Sequence, residues 1–166
     1  MEIRPPQGTY GNRMPELKLI ALDADDLAVI SAHMQDAVLT VADLAYLPAE
    51  KRFAAVGNRF DWAEALKDGK PGGRGYARRQ AALRFERVLG AKVLDIDMRR
   101  KDRVLSLLAL SFEPGDPPAG RVILHFSDGG AIGLDVECIE AELTDLGPAW
   151  SAKSMPRHPE DDPRRT

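Results

Sequence analysis

The chain has one cysteine, three histidines, few aromatic residues and a formal net charge of only −3, and each scarcity removes a class of explanation. Cys138 alone forms no internal disulfide and no multi-thiolate metal site, so a reducing compartment is expected. The histidines, His33, His125 and His158, show neither the i, i+4 spacing nor the neighbouring carboxylates of a metal-binding helix. No metal and no other cofactor is expected. No apolar run approaches the roughly 20 residues of a membrane-crossing helix. Residues 1–13 hold Pro5, Pro6 and Gly8 but no apolar signal-peptide core. The expectation is a cytoplasmic protein without membrane contact.

What remains is ordinary for one globular domain: 166 residues, 44% hydrophobic and 30% charged. Proline, excluded from helix interiors and central strands, marks the boundaries. Seven of the twelve prolines crowd the ends, so residues 1–16 and 151–166 are expected to be disordered and residues 17–150 to form a single globular domain. Pro48, Pro71 and the group Pro114, Pro117 and Pro118 fall between apolar segments and mark connections.

Residues 17–22 read as a short strand, after which Asp23 offers an N-cap oxygen and Asp25 and Asp26 place negative charge in a first helical turn. Leu27, Ile30, Met34 and Val38 share one face at helical spacing, with Ser31, Gln35 and Asp36 facing away, which predicts an amphipathic helix over residues 25–37. Asp61 and Glu64 could cap a short turn at 63–67. Beyond Val38 the period becomes two, giving strands at about 39–47, 52–60, 80–89, 91–98, 103–112, 121–127 and 131–143. Asp128, Gly129 and Gly130 predict a tight hairpin between the last two. Ile139 and Leu143 lie on the opposite parity from Ile132, Leu134, Val136 and Cys138, which calls for a bulge near Cys138 or a switch to helix. The expected inner face of the sheet includes Leu107, Phe112, Leu124, Phe126, Leu134 and Val136. A weak repeat at an offset of 52 residues sets Val41, Asp43, Leu44 and Phe60 against Val93, Asp95, Ile96 and Phe112, as two similar hairpins. The fold class is α+β: an antiparallel, strongly curved or barrel-like sheet of about seven to eight strands with one main amphipathic helix.

No clustered catalytic set stands out. Cys138, among acids and on the apolar parity, reads as a buried inert thiol, and no serine occupies a glycine-flanked nucleophile elbow. His125, between Leu124 and Phe126, is expected on the solvent face of its strand. Asp135, Glu137, Glu140 and Glu142 read as a solvated acidic face. The most unusual stretch is the glycine-rich basic loop at 67–79, whose cations and backbone amides could hold phosphate, with Tyr76 placed to stack on a base. The candidate anion-binding residues are Arg74, Arg78 and Arg79 together with Arg99, Arg100 and Lys101. Charge is unevenly spread. Between residues 74 and 103, ten basic residues stand against Glu86, Asp95, Asp97 and Asp102, whereas beyond Arg121 the acidic residues dominate. Facing strands of one sheet would let these segments neutralise each other.

Four stretches together carry a family resemblance: LKLIALDADDLAVISAHMQD at 17–36, FAAVGNRFDW at 53–62, AALRFERVLGAKVLDIDM at 81–98 and DVECIEAELTDLGPAW at 135–150. They resemble the alphaproteobacterial family known as domain of unknown function 2948. The resemblance implies a compact bacterial cytoplasmic protein of one domain and carries no catalytic residue, cofactor or partner with it. The expected function is a non-catalytic binding or adaptor module of the bacterial cytoplasm. The alternatives are an enzyme acting on a small molecule with a site assembled from distant residues, and a weak anion or nucleic-acid binder through loop 67–79. A protein partner ranks ahead of nucleic acid.

Overall fold

Asp23 caps the helix α1 (Ala24–Met34), its side chain accepting the Asp26 amide at 2.8 Å. The computed structural model describes residues 17–61, 77–147 and 150–151. Leu27, Ile30 and Met34 are buried, as their spacing predicts. The helix stops short of residue 37 because the sheet captures the chain. Asp36 turns at φ 67° and donates its amide to the Leu107 carbonyl at 2.8 Å, while the Leu107 amide donates to Ala37 at 2.9 Å. Val38, expected on the helix, therefore begins a strand. Ser31, expected to face away, accepts the Leu110 amide at 2.9 Å and ties the helix to the sheet.

The strands are β1 (Lys18–Ala21), β2 (Val38–Thr40), β3 (Leu44–Leu47), β4 (Arg52–Phe60), β5 (Ala77–Phe85), β6 (Val88–Leu94), β7 (Val104–Pro114), β8 (Gly120–Phe126), β9 (Ala131–Val136), β10 (Ala141–Asp145) and the two-residue β11 (Trp150–Ser151). All eleven belong to one antiparallel sheet, in the order β1-β10-β5-β4-β2-β7-β8-β9-β6, with β3 on β4 and β11 on β5. The number exceeds the expected seven to eight chiefly because two long segments break. The segment 39–47 is divided by a 3-10 turn at Val41–Asp43, where Asp43 accepts from the Thr40 amide at 2.8 Å and hydroxyl at 3.0 Å. The segment 131–143 is divided at residues 137–140, and this break, not a bulge or a helix, explains the change of parity at Ile139. The repeat does not extend to the structure: β3 pairs with β4, whereas residues 96–99, at the offset of 52, form no strand, and β6 before them pairs with β9 and not with β7.

The curvature follows from one corner. β5 stands third along the sheet and β6 last, yet only Glu86 and Arg87 join them, Arg87 at φ 62°. The sheet must bend until its last strand comes beside its third. Hydrogen bonds hold the corner: Glu86 amide to Glu140 carbonyl, Glu137 amide to Arg87 carbonyl and Val88 amide to Lys51 carbonyl, each at 2.9 Å. The sheet is strongly curved but does not close as a barrel. Among the described residues β6 has no ladder except with β9, because the backbone of Lys51, not a strand, meets the start of its other edge.

One hydrophobic cluster fills the concave side, joining Leu27, Ile30 and Met34 to residues of both halves of the sheet. Leu107, Leu124, Phe126, Leu134 and Val136 are buried as expected, and Phe112 is partly buried against them. A bulge in β7 between Leu107 and Ala109 moves the inward parity from Leu105 and Leu107 to Leu110. The hairpin at 128–130 forms as predicted, with Gly129 at φ 94°.

Candidate functional site

The six candidate cations do not converge. Arg74 and Tyr76, with the rest of loop 67–76, lie outside the described residues, as do the turn at 63–67, His158 and both expected disordered ends apart from Ser151. Arg78 lies 5.2 Å above the Phe60 ring and donates to the Asp36 carbonyl at 3.4 Å. Burial draws its pKa below the ordinary guanidinium value, opposed by Asp36. Arg79, expected on the surface, is only 1% exposed. Arg99, Arg100 and Lys101 are exposed beyond the other end of β2, where the Lys101 carbonyl accepts the Ala42 amide. Arg99 is held at 3.1 Å by Asp97, a bond that keeps the Asp97 carboxyl below its usual range. Arg100 and Lys101 form no ion pair with any described residue.

Arg79 is withdrawn because it belongs to a buried ion cluster. It lies directly across the β4–β5 ladder from Arg59, an arrangement that like charge alone would disfavour. Asp145, at the end of β10, relieves it. Its Oδ1 accepts from Arg59 Nε at 2.8 Å and its Oδ2 from a terminal Arg59 nitrogen at 2.9 Å, a two-point grip. Arg79 Nε donates to Asp61 at 2.7 Å and lies 3.8 Å from Asp145 Oδ2. The Leu17 amide also donates to Asp145, at 2.7 Å. All four charged side chains are buried. His33, half-buried in the last turn of α1, feels Arg59, Asp61 and Asp145. Burial, reinforced by Arg59, lowers its pKa against the opposing pull of the two carboxylates.

Opposite charges pair across strands and across the turns beside them, as the uneven charge distribution suggests. Arg84 pairs with Glu142, Arg87 with Glu140 and Glu137, Arg121 with Asp135, and Arg103 with Asp128. Several of these groups, with Ile20 and Ala141, line an open cleft of about 230 Å³ at the corner. On the outer face of β7 and β8, Ser111 Oγ and His125 Nε2 are 2.8 Å apart, leaving His125 half-buried. Cys138 is half-exposed, not buried, because the chain leaves the sheet after Val136 and the inward parity ends there. Among the described residues no group of three or more His, Cys, Asp or Glu is placed to hold a metal ion.

The remaining feature is the last strand of the sheet. Among the described residues β6 is paired by β9 on one side only, and its large apolar side chains are exposed: Leu89 is 54% exposed, Val93 42% and Leu94 60%. An unpaired edge offers a row of amides and carbonyls to another strand. At its start the edge is covered. Val88 donates to Lys51, whose ammonium reaches Glu137 at 2.8 Å and holds that carboxyl below its ordinary range. Sequence spacing reveals none of this, since exposure at Val93 depends on there being no further strand beside it.

The fold and these features define an α+β domain built on one open, strongly curved antiparallel sheet, with charges sealed at one end and an apolar edge left uncovered. The chain belongs to the family described as Protein of unknown function (DUF2948), whose model matches residues 17–158. No curated protein and no solved structure matches it. No helix among the described residues is long and apolar enough to cross a membrane.

Proposed function

We propose that this domain is a non-catalytic binding module that takes an extended segment of a protein partner along the free edge of β6. The observation that supports the reading is the exposure of Leu89, Val93 and Leu94 on a strand that, among the described residues, is paired on one side only. In this mode backbone hydrogen bonds supply much of the affinity, and alternate side chains supply the specificity. A reducing compartment such as the cytoplasm suits the single cysteine. A photo-crosslinking residue placed at Val93 in the native cell should give a discrete protein adduct that Leu94→Lys removes. An adduct that persists in that variant, or that forms equally from position 100, would sink the reading.

Arg100 and Lys101, exposed and free of ion pairs among the described residues, favour a second reading as a weak anion contact. Titration of single-stranded RNA at low salt tests it. Removing either cation should lower the slope of log K against log salt by roughly 0.7, and an unchanged slope would remove the reading.

A further inference from the structure

The usable part of the β6 edge is short and has a charge at its centre. Lys51 occupies the edge at Val88, and Asp95, at φ 58°, turns the chain off the sheet after Leu94. The stretch between runs from Gly90 to Leu94. Its register against β9 sorts the side chains: Ala91 and Val93 stand opposite the buried Leu134 and Ile132, so they share the inner face. Gly90, Lys92 and Leu94 stand opposite Asp135, Gly133 and Ala131, on the outer face. Lys92 is exposed and forms no ion pair with any described residue. Its neighbour on β9 is Gly133, over which the Arg121 side chain lies, and Asp135 on the same face is already paired with Arg121. An added strand on the open side is therefore the natural source of a counter-charge.

A second copy of this chain is a poor source. Two β6 strands related by a two-fold axis at the middle of the free stretch would set Lys92 against Lys92, and like charges directly opposite are destabilising. An edge lysine is a common guard against such self-pairing. The same charge selects among foreign strands.

Resting on the edge-strand reading above, we infer that β6 recognises an extended segment bearing a carboxylate opposite Lys92, with apolar residues on either side of it, and rejects a second copy of this chain. The flanking apolar residues meet Ala91 and Val93 on the inner face, and the next residues out meet Leu94 and Gly90 on the outer face.

Two fluorescein-labelled peptides test this, Thr-Val-Val-Glu-Val-Val-Thr and the same peptide with lysine at its centre, using fluorescence polarisation with hydrogen exchange across β6. The wild type should bind the glutamate peptide roughly five- to tenfold tighter, as expected for exchanging an opposite-charge for a like-charge cross-strand pair, and Lys92→Glu should invert the preference. Equal binding of both peptides, protecting β6 and indifferent to Lys92→Glu, would overturn the acidic-partner inference while leaving the edge reading in place. No protection of β6 by either peptide would overturn both. In sedimentation the wild type should be monomeric and Lys92→Leu should self-associate. A wild-type dimer whose contacts protect β6 would overturn the rejection of a second copy.

Discussion

At the far end of β4, β5 and β10, four charged side chains lie inside the molecule, and along β6 three large apolar side chains lie outside it. Each region inverts the usual distribution, in which charges are solvated and large apolar groups are covered. They differ in how they are satisfied. Arg59 and Asp145 hold each other at two points, and Arg79 is bound by Asp61, so this end needs nothing from outside. β6 has hydrogen-bonding groups and apolar surface that nothing else in the described chain meets. A buried charge cluster is thus satisfied within the chain, and the uncovered edge is where the proposed partner would add.

The comparison breaks most readily at the charged end. Asp145→Ala removes the carboxylate that both guanidiniums approach and leaves buried positive charge uncompensated, which should cost about 3–5 kcal/mol. Urea denaturation measures it, and a loss under about 1 kcal/mol would mean that the cluster is not the internal clamp described here. The double variant Arg59→Met with Asp145→Leu should cost less than Asp145→Ala, because it leaves no charge stranded in place of that pair.

A subtler test uses pH. His33 titrates lower in the folded state than in the unfolded chain, where its value is about 6.5. As pH falls below that value the unfolded state binds the proton first. The stability that His33 contributes is therefore complete above about pH 6.5, declines as pH drops, and levels off below the folded pKa. His33→Gln should flatten that part of the stability profile. Glu137 and Asp97, with pKa values lowered by Lys51 and Arg99, lose their contributions only in the more acidic range, so the slopes separate. An unchanged profile in His33→Gln would dissociate the histidine from the cluster.

The smallest effect on stability is expected at β6. Leu94→Lys should change the unfolding free energy by no more than about 0.5 kcal/mol, since Leu94 is mostly exposed, while abolishing partner capture. A large loss of stability would show that the edge is part of the core after all and erase the contrast.

Much of the charged end was legible in the sequence. Arg59 shares the parity of Phe53 and Ala55, Arg79 that of Ala81 and Leu83, and Asp145 that of Ala141 and Leu143. An ionisable residue on the inward parity of three strands must find a counter-charge, and these three together require it. The run of basic residues around Arg79 points instead to surface charge, which masks its parity. The helix and the 128–130 hairpin were legible because their signals are local: a cap, a spacing, two glycines. The break at Val41–Asp43 also has a local signal, the capping pair Thr40 and Asp43, whereas the early end of α1 has none, because distant backbone at Leu107 causes it. The free edge had no local signature at all.

The position of β1 has a consequence for how the chain is made. Its partner is β10, with Lys18 opposite Thr144 and Ala21 opposite Ala141. A ribosome that adds about 5–20 residues per second needs on the order of ten seconds to travel from one to the other. Through that interval the first strand is a nascent segment without its ladder, and Leu19 and Ala21, which the finished fold covers, are open to any chaperone or protease near the exit tunnel. Resistance of arrested chains to proteolysis should appear only once Asp145 has emerged. Protection in a shorter nascent chain would show that β1 finds an earlier, temporary partner.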